Sequence, residues 1–108
     1  MNTTKFGKKY KFGDIVLALI QFVDSGEIKT RPALVLFEEY GNIVLAGITS
    51  NPNMSGIPIT KEEGMYIYSV IKLNYIMTVD KTAIKKYLFK ISENKKKLVK
   101  EEIITRIK

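Results

Sequence analysis

Residues 31–50, RPALVLFEEYGNIVLAGITS, decide the fold. Two apolar runs, residues 33–37 and 43–48, flank the polar segment EEYGN, whose glycine is typical of a hairpin turn. Both runs are rich in Val, Leu and Ile on both faces, which is the composition of buried strands. The stretch therefore predicts two antiparallel strands joined by a turn over residues 38–42. Pro32 is expected at the start of the first strand, because proline cannot donate a ladder hydrogen bond.

The segments on either side of this hairpin predict further strands. Residues 15–23, IVLALIQFV, are apolar on both faces and predict a buried strand that ends at the DSG break. Residues 57–59, IPI, predict a short edge strand, where proline is tolerated. Residues 68–73 alternate between two faces and predict a half-exposed strand, followed by two short strands over residues 77–80 and 87–91.

The tail from Ser92 predicts a C-terminal helix. Ser92 is a suitable N-cap, and Val99, Ile103 and Ile107 recur every four residues, which forms one apolar stripe on a helix. The outer face is predicted to be solvated by four lysines: Lys95, Lys96, Lys97 and Lys100. Many short strands with tight turns and one terminal helix predict a mostly β fold, a small antiparallel barrel with a C-terminal helix.

A chain of 108 residues has room for one domain with one core. Residues 1–11, MNTTKFGKKYK, are polar and basic and predict a flexible arm, so that residues 12–108 form the domain. The longest apolar run, residues 15–20, is too short to span a membrane, and residues 1–11 lack the apolar core of a signal peptide. We therefore expect a cytoplasmic protein without a membrane partner.

The composition limits the chemistry. The sequence contains no Cys and no His, which excludes disulfides, thiolate chemistry, Cys/His zinc sites and imidazole catalysis. Hydrolysis must then use carboxylates, Lys, Arg, Tyr or hydroxyls, and no close group of carboxylates resembles a metal cage, so we expect neither a metal nor another cofactor. Lys and Arg outnumber Asp and Glu by 18 to 11, a net charge of +7. This excess favours polyanions or an acidic peptide as partners, although lysine-rich surfaces also serve solubility.

Five stretches, in this order, resemble the MazF/PemK toxin family: GDIV at 13–16, RPALVLF at 31–37, GITS at 47–50, IPIT at 57–60 and SVIKLNYIMTVDK at 69–81. The resemblance spans most of the chain. It implies an SH3-like antiparallel barrel, a homodimer, and sequence-selective, metal-independent cleavage of single-stranded RNA that leaves a cyclic phosphate and a 5′ hydroxyl. It also implies a type II toxin, which a cognate antitoxin holds inactive by occupying the RNA groove.

The resemblance implies that Arg31 and Thr49 are the catalytic residues. RNA cleavage by its own 2′ hydroxyl needs a proton acceptor, positive charge over the pentavalent phosphate, and stabilisation of the departing oxygen. The planar guanidinium of Arg31 suits the second need, and the hydroxyl of Thr49 can donate to a phosphate oxygen. Taken alone, Arg31 is equally an ion-pair partner of Glu27 or Asp14, and Thr49 a strand-end residue satisfied by neighbouring backbone. The proton acceptor stays open among Asp14, Glu27 and a bound water.

The other predicted RNA-binding residues flank this pair. Lys72 and Asn74 fall where some members of the family carry an Arg and an Asp, so this chain is more similar to the members that rely on the Arg and Thr pair alone. Residues 21–30 and 51–56 predict loops at the site. Four further side chains at these loops are predicted to contact RNA: Phe22, Lys29, Ser50 and Asn51. Phe22 is equally a core residue beside an apolar strand.

Two other functions fit the same residues. A barrel that has lost catalysis would act as a module that binds an antitoxin or a nucleic acid, an interpretation that Lys72 and Asn74 favour. A small RNA- or ribosome-associated barrel would bind RNA without arresting growth. Cleavage of RNA in the presence of EDTA distinguishes the toxin from both.

Overall fold

A computed structural model describes residues 9–21 and 26–108 of the chain. Within these residues the chain forms one six-stranded antiparallel sheet and one C-terminal α-helix. The elements are β1 (Asp14–Gln21), β2 (Ile28–Glu39), β3 (Asn42–Thr49), β4 (Ile57–Ile59), β5 (Ser69–Asp80), a single 3-10 turn (Lys81–Ala83), β6 (Ile84–Lys90) and α1 (Glu93–Ile107). The prediction of a mostly β fold with a terminal helix is confirmed.

The sheet has the strand order β4-β5-β3-β2-β1-β6 and curls into a half-barrel. Strands β1 and β5 are separated in the sheet by β2 and β3, yet the 3-10 turn contacts both of them. One crevice is also lined by residues from the end of β1, the start of β2 and β5, so the sheet must curl. Two apolar clusters occupy the two faces. One contains Val16, Ala18, Ala33 and Val35, and the other packs beneath α1 around Val99.

Strand β2 begins four residues before Pro32, so the prediction that Pro32 starts the strand is wrong. Residues 28–32 pair with β1, whereas the ladder to β3 extends only as far as the pair of Ala33 and Gly47. At Pro32, β2 therefore has no hydrogen-bonded neighbour on its β3 side. The absence of an N–H on Pro32 does not interrupt the ladder between β2 and β3.

The turn between β2 and β3 is tighter than predicted. Tyr40 and Gly41 have φ values of 52° and 80° and form a two-residue hairpin turn, with Glu39 opposite Asn42. A positive φ at both central positions matches the right-handed twist of the flanking strands, which is why the strands extend to the turn.

Strand β5 is one strand of 12 residues, although the sequence predicted two. Its register against β3 shifts between the pair of Ala46 and Ile76 and the pair of Gly47 and Lys72, so residues 73–75 have no partner on β3. The predicted gap between the two strands is thus a bulge within a single strand. The edge position of β4 is confirmed, and β6 begins earlier than predicted, at Ile84.

Ser92 is the N-cap of helix α1, as predicted, and its Oγ accepts a hydrogen bond from the Lys95 N–H at 3.1 Å. Val99 is fully buried, but Ile107, the last residue of the helix, is 76% exposed, so the predicted apolar stripe does not reach the end of the helix. The prediction of four solvated lysines is wrong for Lys95, whose Nζ donates to the Pro58 carbonyl at 2.6 Å and pairs with Glu63 at 3.2 Å.

Lys96 is the second lysine that docks the helix. Its side chain is 18% exposed and lies against Gly13, where an added Cβ would stand 2.7 Å from the Lys96 Cε. Gly13 also has a φ of 101°, a backbone conformation that favours glycine. Two of the predicted solvent-facing lysines therefore attach α1 to the sheet. In the described part of the chain, no helix has the length and apolar character needed to cross a membrane.

Candidate functional site

Arg31 and Thr49 lie at corresponding positions of β2 and β3. The ladder between the two strands ends with the pair of Ala33 and Gly47, and Arg31 and Thr49 each lie two residues beyond that pair, at the same end of the sheet. Side chains two residues apart on a strand share a face, so Arg31 is on the face of Ala33 and Thr49 on the face of Gly47. Strand pairing thus brings the two predicted catalytic residues to one end and one face of the sheet.

Both residues are held by backbone pairing to their other neighbouring strands. Arg31 pairs with Ala18 of β1, is exposed, and donates from Nη1 to the Thr30 carbonyl at 3.3 Å. Thr49 pairs with Val70 of β5 and is half-buried, and its Oγ1 accepts from the Asn51 N–H at 3.1 Å. A threonine hydroxyl that accepts one hydrogen bond keeps its own proton to donate. Thr49 can therefore shape the chain after β3 and still donate to a ligand.

Of the two carboxylates considered as proton acceptors, Asp14 belongs to the framework. It is 5% exposed, pairs with the Lys90 Nζ at 2.7 Å and accepts from the Lys11 N–H at 2.9 Å. Along β1 it precedes Ala18, the partner of Arg31, by four residues, which is about 13 Å of strand. Asp14 therefore ties the start of β1 to β6, and Glu27 and a bound water remain as acceptors.

Glu27 and Lys29 lie just before Arg31 and form an ion pair with each other. The Lys29 Nζ is 3.4 Å from the Glu27 carboxylate, and both side chains are substantially exposed. Lys29 pairs with Ile20 of β1 and shares a face with Arg31, because the two are two residues apart on β2. The predicted RNA-binding residue Lys29 thus stands on the face of the candidate site.

The loop after Thr49 carries Ser50 and Asn51, both exposed, and is fixed by its own hydrogen bonds. The Asn51 Oδ1 accepts from the Asn53 N–H at 2.9 Å, and the Asn51 carbonyl accepts from the Met54 N–H at 3.1 Å. Further along, the Ser55 carbonyl accepts from the Lys72 Nζ at 2.7 Å. Lys72 therefore fastens the loop with the predicted base-contacting residues to strand β5.

Lys72 and Asn74 lie on the β5 side of the site. Lys72 is half-buried and pairs with Gly47, so it lies two ladder positions from the pair of Thr49 and Val70 and on the same face. Asn74 is exposed within the bulge. Both line an open cavity of about 520 Å³ between β5, the loop and α1. The other lining residues are Ser55, Gly56, Ile57, Pro58, Leu73, Leu98, Glu102 and Arg106.

Two aromatic residues, Phe22 and Tyr75, differ in how the sequence and the structure treat them. Phe22, predicted to contact RNA, lies outside the described residues. Tyr75, which the sequence did not single out, lies in the bulge of β5, with the Lys72 Nζ 5.4 Å from its ring centroid. A register shift leaves no signal in a single sequence, so nothing there distinguished Tyr75 from the other tyrosines. In the part of the chain that the structure describes, no group of three or more Asp and Glu residues could hold a metal ion.

The fold and the site define a small curled β-sheet protein with a basic, open surface at one sheet end. The sequence matches the family of PemK-like, MazF-like toxins of type II toxin-antitoxin systems over residues 11–106. The match includes every strand, Arg31 and Thr49, and almost all of α1. The chain therefore belongs to this toxin family. A search of the curated proteins found no match.

Proposed function

We propose that this toxin is a metal-independent endoribonuclease that cleaves single-stranded RNA in a sequence-selective manner. The observation that supports the proposal is the register of β2 and β3, whose last pair, Ala33 and Gly47, lies two residues from Arg31 on one strand and two residues from Thr49 on the other. In the proposed reaction the 2′ oxygen attacks the adjacent phosphorus and the bond to the 5′ oxygen breaks. The products are a 2′,3′-cyclic phosphate and a free 5′ hydroxyl, and no water is consumed.

Each residue has a separate task in this reaction. The Arg31 guanidinium stays charged at neutral pH and offers a fork of donors to the non-bridging phosphate oxygens, on which negative charge grows in the transition state. The Thr49 hydroxyl donates to the same phosphate or to the departing 5′ oxygen. Glu27 or a bound water accepts the proton of the attacking 2′ hydroxyl.

The charge of the chain suits both proposed partners. A net charge of +7 attracts the phosphates of RNA and also an acidic antitoxin segment. We propose that a cognate antitoxin covers the surface of Arg31, Thr49 and Lys72 and so prevents RNA from binding. We further propose that the toxin acts in the cytoplasm as a homodimer.

The experiment that tests the function is cleavage of a mixed single-stranded RNA in EDTA. Arg31→Ala should slow cleavage by about 100- to 1000-fold, the usual effect of removing one transition-state donor, and Arg31→Lys should restore only part of it because lysine lacks the fork. Thr49→Val tests the hydroxyl at nearly constant shape. Lys86→Ala, which removes an exposed charge on β6, is the matched control and should cleave like wild type.

Thermal unfolding of the same variants separates chemistry from stability. Arg31→Ala should unfold within a few degrees of wild type, because Arg31 is exposed. A parallel loss of stability and cleavage would instead make Arg31 a structural residue. Wild type that binds RNA without cutting it would favour a binding module, the second candidate, which the amide of Asn74 and the framework role of Asp14 support.

A further inference from the structure

The bulge of β5 turns an aromatic side chain toward the candidate site. Ala46 pairs with Ile76 and Gly47 with Lys72, so three extra residues, 73–75, must fit between neighbouring ladder positions. Bulges of this kind redirect side chains relative to a regular strand. Tyr75 is 47% exposed there, although a tyrosine ring favours partial burial.

Gly47 and Lys72 fix the position of Tyr75. A Cβ on Gly47 would stand 3.5 Å from the Tyr75 Cβ and 3.7 Å from its carbonyl oxygen, so the bulge lies directly against the glycine backbone. The Lys72 Nζ lies 5.4 Å from the ring centroid and is itself held by the Ser55 carbonyl. An ammonium group that lies over the face of an aromatic ring is attracted to that ring. Because the Lys72 ammonium is held by the Ser55 carbonyl, it orients the Tyr75 ring.

This arrangement brings the ring close to the catalytic pair. Gly47 precedes Thr49 by two residues on the same face of β3, a distance of about 7 Å along the strand. That span is close to the length of one extended nucleotide. A base next to a phosphate bound by Arg31 and Thr49 would thus reach the exposed surface of Tyr75.

We propose that Tyr75 is a base-stacking residue for single-stranded RNA and that Lys72 positions its ring. The proposal rests on the proposed function and adds a base contact to it. Aromatic side chains in grooves that bind single strands stack on bases of any identity, since every base has a π face. Lys72 meanwhile presents its remaining N–H donors on the path between this base and the catalytic pair.

The test measures binding of a labelled, randomised RNA of about 12 nucleotides whose riboses are 2′-O-methylated, so that it cannot be cut by internal attack. Tyr75→Leu should weaken binding by about 5- to 150-fold, the range that stacking of one base supports. Tyr75→Phe keeps the ring and should bind like wild type. Tyr40→Leu is the matched control, because Tyr40 is fully exposed in the hairpin turn at the other end of β3.

A second measurement uses the absence of tryptophan from the chain. Tyr75→Trp introduces a single tryptophan, whose emission RNA should quench by stacking, whereas Tyr40→Trp should stay unquenched. Wild-type affinity in Tyr75→Leu, an equal loss in Tyr75→Phe, or no quenching in Tyr75→Trp would each overturn the assignment.

Failure of this assignment is distinguishable from failure of the proposed function. If wild type cuts unmodified RNA but the Tyr75 variants bind and cut normally, stacking is refuted and the nuclease stands. If wild type binds RNA through Tyr75 but never cuts it, the nuclease is refuted and the stacking contact stands.

Discussion

Gly56 offers the sharpest test of how the framework supports the site. A Cβ at this position would overlap the Ile71 carbonyl oxygen and lie 3.2 Å from both the Ile71 carbonyl carbon and the Val70 Cβ. These are backbone and Cβ atoms of β5, which cannot move aside as the end of a long side chain can. Gly56→Ala therefore has to push the loop of residues 50–56 away from β5.

The size of the effect follows from this contact. Forcing one extra methyl group into a packed position costs about 1–3 kcal/mol, because neighbouring backbone has to shift. For a domain of this size that free energy lowers the unfolding temperature by roughly 4–18 °C. The shift also separates the Ser55 carbonyl from the Lys72 Nζ, now 2.7 Å apart, and so releases the loop that carries Asn51.

Thermal unfolding by circular dichroism and RNA cleavage are the two assays for Gly56→Ala. Ser55→Ala is the matched control, because the Lys72 Nζ donates to the backbone carbonyl of Ser55, which alanine retains. We expect Gly56→Ala to lose both stability and cleavage rate, and Ser55→Ala to keep both. Wild-type unfolding temperature and rate in Gly56→Ala would refute the close packing of the loop against β5.

The remaining predictions concern two carboxylates of the framework. Asp14→Asn leaves the Lys90 ammonium without its carboxylate and should lower the free energy of unfolding by about 1–3 kcal/mol while RNA cleavage persists; normal stability with lost cleavage would make Asp14 the proton acceptor instead. At Glu63, burial raises the pKa, but hydrogen bonds from Thr60 and Lys95 outweigh it and hold the pKa below its ordinary value of 4.5. The Glu63 carboxylate therefore stabilises the fold fully above pH 4.5, and this contribution is lost as the pH falls through the lower, folded-state pKa. The difference in unfolding temperature between wild type and Glu63→Gln should be large at neutral pH and shrink in acid, and a difference that is constant with pH would contradict this account.

The features of the fold that the sequence predicts correctly rest on local signals. Apolar runs broken by turn formers located β1, β3 and β4, and a serine followed by periodic aliphatic residues located α1. Each of these signals acts within a few residues, because strand burial and helix capping are short-range. The corresponding predictions of a mostly β fold with a terminal helix needed no knowledge of strand pairing.

The errors arose where pairing between distant residues decides the outcome. Pro32 lies within β2 because residues 28–32 pair with β1, and β5 continues through residues 73–75 because β3 pairs on both sides of the bulge. Lys95 docks α1 through Glu63, a partner 32 positions away in the sequence. Long-range contacts of this kind have no counterpart in the spacing of a single sequence.

Some residues of the candidate site could be predicted from the sequence, and others depend on pairing between distant residues. Arg31 and Thr49 were predicted from a family resemblance, and the last pair of the β2–β3 ladder, Ala33 and Gly47, lies two residues from each of them. The sequence does not predict Tyr75 as a site residue, because its exposure depends on the bulge in β5. Asp14, one of the proposed proton acceptors, is instead a buried ion-pair partner of Lys90, a role that no sequence pattern signalled.

The two-residue turn at Tyr40 and Gly41 makes the faces on which Arg31 and Thr49 lie depend on the number of residues between them. Because alternate residues of a strand face opposite sides, deleting or inserting one residue between Arg31 and Thr49 would send one of the two to the other side of the sheet unless a bulge absorbed the change, as the bulge between Val35 and Phe37 does for one residue. A substitution leaves that parity unchanged, whereas an odd change in the number of residues requires a bulge to be gained or lost. The relative placement of the guanidinium and the hydroxyl therefore depends on the number of residues between them and on the bulge in β2.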